Sequence, residues 1–288
     1  MKNKPFYIIL IFVILIIGVL IGVVPQRNLG SESSIPKEFH GKLQLFILVG
    51  QSNMVGMYNF PRKVENDYDR IFVFGYDYQW KIATEPIDDP NCQVDKVSKY
   101  KIVCYIPALS FAKTLLGQDP DLVIGLIPCA ERNSSIYAWQ RNLSDDSLYG
   151  ACLKRVNEAS AMGDVAGILF FQGETDALDP NIYPEKITQP NQWGREFIKF
   201  VNDMRMDLDM PNLPIIYAQI GTNTTPEDFV NWEIVKMQQL AVQVPFSAMI
   251  TTDDLALSDK VHFTTLSYIE IGIRFAEAYL SLLKEHQK

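Results

Sequence analysis

The chain has 288 residues, 48% of them hydrophobic, and a net charge of −8 at neutral pH. No cluster of Lys and Arg stands out from that acidic balance, which argues against a nucleic-acid partner. The four cysteines, Cys92, Cys104, Cys129 and Cys152, lack the spacing of a metal site.

Phe6 to Val24 is an uncharged apolar run, with Lys2 and Lys4 before it and Arg27 behind it. As a helix it would reach about 28 Å, near the hydrocarbon thickness of a bilayer. It exceeds the apolar core of a cleaved signal, and Val24-Pro25-Gln26-Arg27 is a poor processing site. The expectation is a signal anchor over residues 6–24, with residues 1–5 in the cytosol and the rest lumenal or extracellular. Secretion after signal cleavage is the alternative. Residues 25–41 read as a polar tether and 42–285 as one domain long enough to hold its own core.

In that domain Leu43 to Val49 reads as a strand, and the five apolar residues in a row from Leu45 to Val49 mark it as buried on both faces. It runs into Gly50-Gln51-Ser52-Asn53-Met54. Asp69 to Phe74 is a second strand, and Lys81 to Tyr105 a long surface loop in which Cys92 and Cys104 are placed to close a small bridge. Helix 108–116 leads to a third strand within 121–128, whose terminal Cys129 reads as a buried thiol. Helix 148–162, strand 165–171, helix 191–208, strand 213–220, helix 229–242 and helix 264–283 complete the alternation, with 247–251 a short apolar piece. Short apolar strands between helices predict a three-layer α/β/α sandwich around a five-stranded parallel sheet.

Ser52 lies just past the carboxyl end of the first strand, where open parallel sheets place their ligands. A serine nucleophile needs a base, and the chain has three histidines. His286 is close to the chain end and His40 precedes the first strand, so His262 remains. Asp259 stands three residues before it, close enough in a turn to hold one imidazole nitrogen. The fourth strand ends in Gln172-Gly173-Glu174-Thr175-Asp176, offering a Gln172 amide to an oxyanion and the carboxylates of Glu174 and Asp176 to orient the histidine or each other, or to cap the next segment. Tyr58, Trp80 and Trp139 suit stacking on sugar rings, or the lining of an acyl pocket.

These three motifs together resemble the sialate O-acetylesterase and acetylxylan esterase group, carbohydrate esterase family six of the SGNH hydrolases, and look closest to its plant-type members. The likeness runs from about Leu43 to Leu283. It implies a flavodoxin-like SGNH fold, with Ser52 as nucleophile and His262 as general base and acid. It also implies Asp259 or Glu174 as the triad acid, Asp259 ahead. Gln51, Asn133, Gln172 and Trp139 then fall on the oxyanion and substrate-binding side. Where the family carries a glycine pair this chain has Arg132-Asn133, while Ile136 and Trp139 keep the pattern. Asn133 also begins one of three glycosylation sequons, with Asn142 and Asn223. A glycan on Asn133 would block such a site, so that sequon is expected to stay unused.

The resemblance implies an O-acetylesterase of acetylated carbohydrate, without metal or organic cofactor and without an obligate protein partner. A membrane-tethered glycan-binding ectodomain that has lost turnover is one alternative. An esterase of lipid or other small-molecule esters is another.

Overall fold

In the computed structural model the described residues are 35–56, 68–87, 93–95, 105–186 and 188–286. The apolar run Leu45 to Val49 becomes the centre of the sheet, as burial on both faces requires. Strand β1 (Leu43–Gly50) pairs in parallel with β4 (Ile124–Pro128) on one side and β5 (Gly163–Phe171) on the other. Outward from β4 lie β2 (Ile71–Phe74) and then β3 (Trp80–Ile82); outward from β5 lie β6 (Ile215–Ala218) and β7 (Ser247–Ile250).

The pleat sends alternate residues of β1 into two cores. Leu45, Ile47 and Val49 meet side chains of α3 (Leu148–Ala159), α4 (Trp193–Asp207) and α5 (Trp232–Leu240). Phe46 and Leu48 meet those of α2 (Ala108–Gln118) and α6 (Thr265–His286). The three expected layers are therefore present. Helix α3 begins where Ser147 accepts a hydrogen bond from the Gly150 N–H at 2.9 Å, a side-chain N-cap.

Three sequence expectations need correction. The sheet has seven strands rather than five, because Trp80–Ile82 and the short apolar piece at 247–250 both pair. These are the two edge strands. At three and four residues, with Lys81 and Ile82 exposed, they have no room for a readable alternation. Nor is the sheet wholly parallel, since β3 runs antiparallel to β2. Strands β4-β1-β5-β6-β7 keep the expected flavodoxin-like order, 2-1-3-4-5 when numbered among themselves, and β2 and β3 are added beyond β4. Finally, Cys129 is not a free thiol but is bridged to Cys152, with Cα atoms 5.4 Å apart. Both cysteines are buried in the α3 side of the core, and the bridge ties the end of β4 to α3.

Ile35 is buried and Phe39 packs its edge on Phe72, so residues 35–41 belong to the domain. The apolar run 6–24, Tyr58, Cys92 and Cys104 lie outside the described residues. Among the described residues no helix is long and apolar enough to cross a membrane.

After β1 the chain builds β2 and β4 on one side of it, then crosses to build β5, β6 and β7 on the other. That reversal opens a crevice beyond the carboxyl end of β1, where this class of sheet binds its ligands.

Candidate active site

Gly50 takes a positive φ of 148°, and a Cβ there would lie 2.0 Å from the Phe171 carbonyl oxygen. Only glycine lets β1 stay paired with β5 as it turns, the next N–H (Gln51) still donating to Phe171 O at 2.9 Å. A single helical turn, α1 (Ser52–Val55), follows at once. Ser52 is its first residue, so its N–H has no acceptor within the helix. The turn is pinned by the Gln51 side chain, whose Oε1 accepts from Gly173 N at 3.3 Å, Thr175 N at 3.1 Å and Gln172 Nε2 at 3.2 Å. Gln51 thus borders the site with its amide oxygen committed to the end of β5.

Between β7 and α6 the chain makes a tight loop, closed by Ser258 N–H donating to His262 O at 2.7 Å. Within it Asp259 Oδ1 accepts from Val261 N at 2.9 Å and His262 N at 2.8 Å. Its Oδ2 meets His262 Nδ1 at 2.7 Å, and His262 Nε2 lies 2.9 Å from Ser52 Oγ. The carboxylate, an acceptor only, selects the tautomer with hydrogen on Nδ1 and leaves Nε2 to accept from the serine. Burial holds the imidazole below its ordinary pKa; Asp259 pulls the other way and the Arg132 guanidinium pushes further down. Burial alone would raise Asp259, but the hydrogen bonds from Val261 and His262 outweigh it and hold the carboxyl below its usual range. At neutral pH His262 is therefore an uncharged base facing Ser52.

The third wall is the end of β5, where Gln172 and Glu174 turn their polar atoms to other partners. Gln172 is 0% exposed, and its amide donates to Gln51, to Ser134 O at 3.1 Å and to Asp176 Oδ2, while its oxygen accepts from Trp193 Nε1 at 2.8 Å. With donors and acceptor all engaged in the protein, it has nothing to offer an oxyanion. Glu174 borders the same cavity as Ser52, but its carboxylate takes a hydrogen bond from Asn53 Nδ2 while Asp259 holds His262 Nδ1. Burial raises Glu174 to about 7, and Asp176, which accepts from Ile136 N at 2.8 Å, likewise to about 7.

Trp139 is a further correction. It is wholly buried, with Nε1 donating to Ser134 Oγ at 3.0 Å and its ring against Phe200, so it serves the core and presents no face to substrate. Trp80 likewise packs on Phe74. In the loop after β4, Asn133 stands in the left-handed region at φ 55°, exposed and bordering the cavity. Asparagine tolerates that conformation better than most residues. Arg132 turns inward instead and donates to Gly56 O, at the end of α1, at 2.8 Å.

The cavity has a volume of about 430 Å³. Besides Ser52, His262 and Asn133 it is bordered by Leu178, Tyr183 and Phe229, with Glu185, Lys186 and Lys260 also on its wall. Lys260 is paired with Asp228 at 2.6 Å. Tyr183 and Phe229 sit in irregular chain, where no periodicity marks a residue as inward-facing. The signal was the long stretch without regular structure between strand and helix, since such loops tend to carry function. Among the described residues no cluster of His, Cys, Asp and Glu is arranged to hold a metal ion.

The sequence profile of the family described as carbohydrate esterase, sialic acid-specific acetylesterase, matches residues 42–281. A protein of Arabidopsis thaliana named "Probable carbohydrate esterase" is 29% identical over 258 residues, covering 83% of this chain and 90% of its own. The crystal structure of that Arabidopsis protein superposes with a TM-score of 0.67 at 28% identity, covering 83% of this chain and 98% of that one. The fold is shared with NanS, at TM-score 0.62 and 16% identity over 85% of this chain and 99% of that one. It is shared too with a carbohydrate acetylesterase from Xanthomonas citri, at TM-score 0.59 and 18% identity over 83% of this chain and 56% of that one. The profile spans most of the chain and all three walls of the crevice, so the chain belongs to the sialic acid-specific acetylesterase family of carbohydrate esterases and is a carboxylic ester hydrolase.

Proposed function

We propose that the protein removes O-acetyl groups from carbohydrate by a serine mechanism in which Ser52, His262 and Asp259 act in line. The observation that carries this reading is the unbroken relay from Ser52 Oγ to His262 Nε2 at 2.9 Å and from His262 Nδ1 to Asp259 Oδ2 at 2.7 Å. Ser52 attacks the ester carbonyl as its proton passes to His262 Nε2, and Asp259 stabilises the imidazolium that forms. The N–H groups of Ser52 and Asn133, neither hydrogen-bonded among the described residues, receive the oxyanion. The sugar alcohol leaves with the proton from His262, giving an acetyl-serine. Water, deprotonated by the same imidazole, then releases acetate.

Tyr183 and Phe229 on the cavity wall supply aromatic faces suited to a sugar ring, the role that Trp80 and Trp139 do not fill. The Arabidopsis relative's name, a carbohydrate esterase, favours the same substrate class. The Cys129–Cys152 bridge fits an oxidising compartment. With the length of the apolar run 6–24 it supports our reading of a membrane-anchored chain with its catalytic domain lumenal or extracellular.

The test is acetate release from an aryl acetate and from acetylated xylan, pectin, sialic acid and glucosamine, by the full chain and by Ser52→Ala and His262→Ala. Loss of release in both variants is expected. Equal rates in all three proteins would end the triad assignment, and glycan binding without any turnover would end the enzymatic one.

A further inference from the structure

Asn53 follows the nucleophile, is 0% exposed, and uses its whole amide inside the protein. Its Nδ2 donates to Glu174 and, at 3.1 Å, to the carbonyl oxygen of Val261, and its Oδ1 accepts from the Tyr268 hydroxyl at 2.7 Å. Val261 O is an acceptor only, so the amide cannot be turned round without losing that bond. One side chain thus connects four pieces of chain: the α1 turn, the end of β5 at Glu174, the 259–262 loop and the start of α6. The bond to Val261 falls on the residue immediately before His262. Glu174 Oε2 is buried without a hydrogen-bond partner among the described residues.

We infer that Asn53 and Glu174 are a positioning pair for the Ser52–His262 bond, Glu174 acting through Asn53 and not as the acid of the triad. This rests on the serine mechanism proposed above. Glu174 fixes the amide from the β5 side, the amide fixes the Val261 carbonyl, and that holds the histidine loop against α1. The two reacting residues are 210 apart in sequence, and no local turn sets their separation. A misplacement of about 1 Å at such a contact lowers a rate on the order of 10²-fold.

The experiment compares the full chain with Glu174→Ala, Glu174→Gln and Asn53→Ala. Three readouts are taken: thermal midpoint, kcat and KM on 4-nitrophenyl acetate, and the rate at which a fluorophosphonate labels Ser52. Both alanine variants are expected to lose about 10- to 100-fold in kcat and in labelling rate, with KM within about twofold. Glutamine keeps an oxygen for Asn53, so Glu174→Gln is expected to recover about tenfold over Glu174→Ala. If an alanine variant does not fold, Asn53→Asp replaces it, having the same shape but no amide donor, with the same loss expected.

Three results would overturn the inference: Glu174→Gln as slow as Glu174→Ala, a loss confined to KM, or alanine variants that label at the wild-type rate. A wild-type chain that labels in the expected pattern yet releases no acetate would defeat the proposed function and leave the positioning role standing.

Discussion

Replacing Asp259 by asparagine isolates the part of the site that chooses the imidazole tautomer. The asparagine oxygen can still accept from the N–H groups of Val261 and His262, now bonded at 2.9 and 2.8 Å, so the loop keeps its shape. What changes is the group facing His262 Nδ1. An amide NH2 there meets the Nδ1–H donor and favours the opposite tautomer, with hydrogen on Nε2, which cannot accept the Ser52 proton. The same exchange in serine-protease triads lowers kcat about 10⁴-fold, or about 5.5 kcal/mol. Asp259 has 26% of its side chain exposed, so water shares some of the stabilisation of the imidazolium. The expected loss is therefore about 10²–10⁴ in kcat, or roughly 3–5.5 kcal/mol. The assay is initial-rate hydrolysis of 4-nitrophenyl acetate across pH 4 to 9, with a melting curve for each protein. In the wild type the base must be unprotonated, and burial depresses His262. Activity should thus rise with pH through a midpoint below the 6.5 of an ordinary imidazole. Asp259→Asn retaining more than about a tenth of wild-type kcat would refute the reasoning, since the tautomer would then be set by another group.

Gln172→Leu is expected to act on stability, because it strips the partners from Trp193 Nε1 and Ser134 O inside the core. A loss of about 2–4 kcal/mol follows from leaving such groups unpaired. A thermal midpoint equal to the wild type would contradict the network. Glu174, Asp176 and Glu85 are raised by burial to about 7, 7 and 8, above their unfolded values, so the native state holds protons that the unfolded chain has released. Their stabilisation is full below pH 4 and is lost as pH rises through 7 to 8. The melting temperature should fall as pH rises from about 4 to between 7 and 8 and level off above that, with a shallower fall in Asp176→Asn. Replacing both Cys129 and Cys152 by alanine opens a bridge between residues 23 apart and should lower stability by about 3 kcal/mol, read by urea unfolding. A midpoint unchanged by reductant would show that the bridge does not form.

How much of this was legible before folding follows from the range of each interaction. The run Leu45 to Val49 announces a central strand by itself, since only burial on both faces tolerates it. The step from Asp259 to His262 is equally local: a three-residue spacing in a turn brings carboxylate and imidazole to 2.7 Å with no help from the rest of the chain. Ser52 follows from its place after that strand, and His262 follows by elimination among three histidines. A candidate nucleophile, base and acid thus stand in the sequence alone.

Only the tertiary structure decided which neighbours each polar group would find. Gln172 has the chemistry of an oxyanion donor, but Ser134 and Gln51, 38 and 121 residues away, take up its amide. Trp139 has the chemistry of a sugar platform, and Phe200 buries it. Cys129 found Cys152 only because the end of β4 packs under α3. The edge strands β3 and β7 needed their neighbours before either could be seen. A side chain's capacity is written in its type, and that much the sequence determined. Whether the capacity faces substrate or is used up inside depends on contacts between distant segments, and those exist only once the chain has packed.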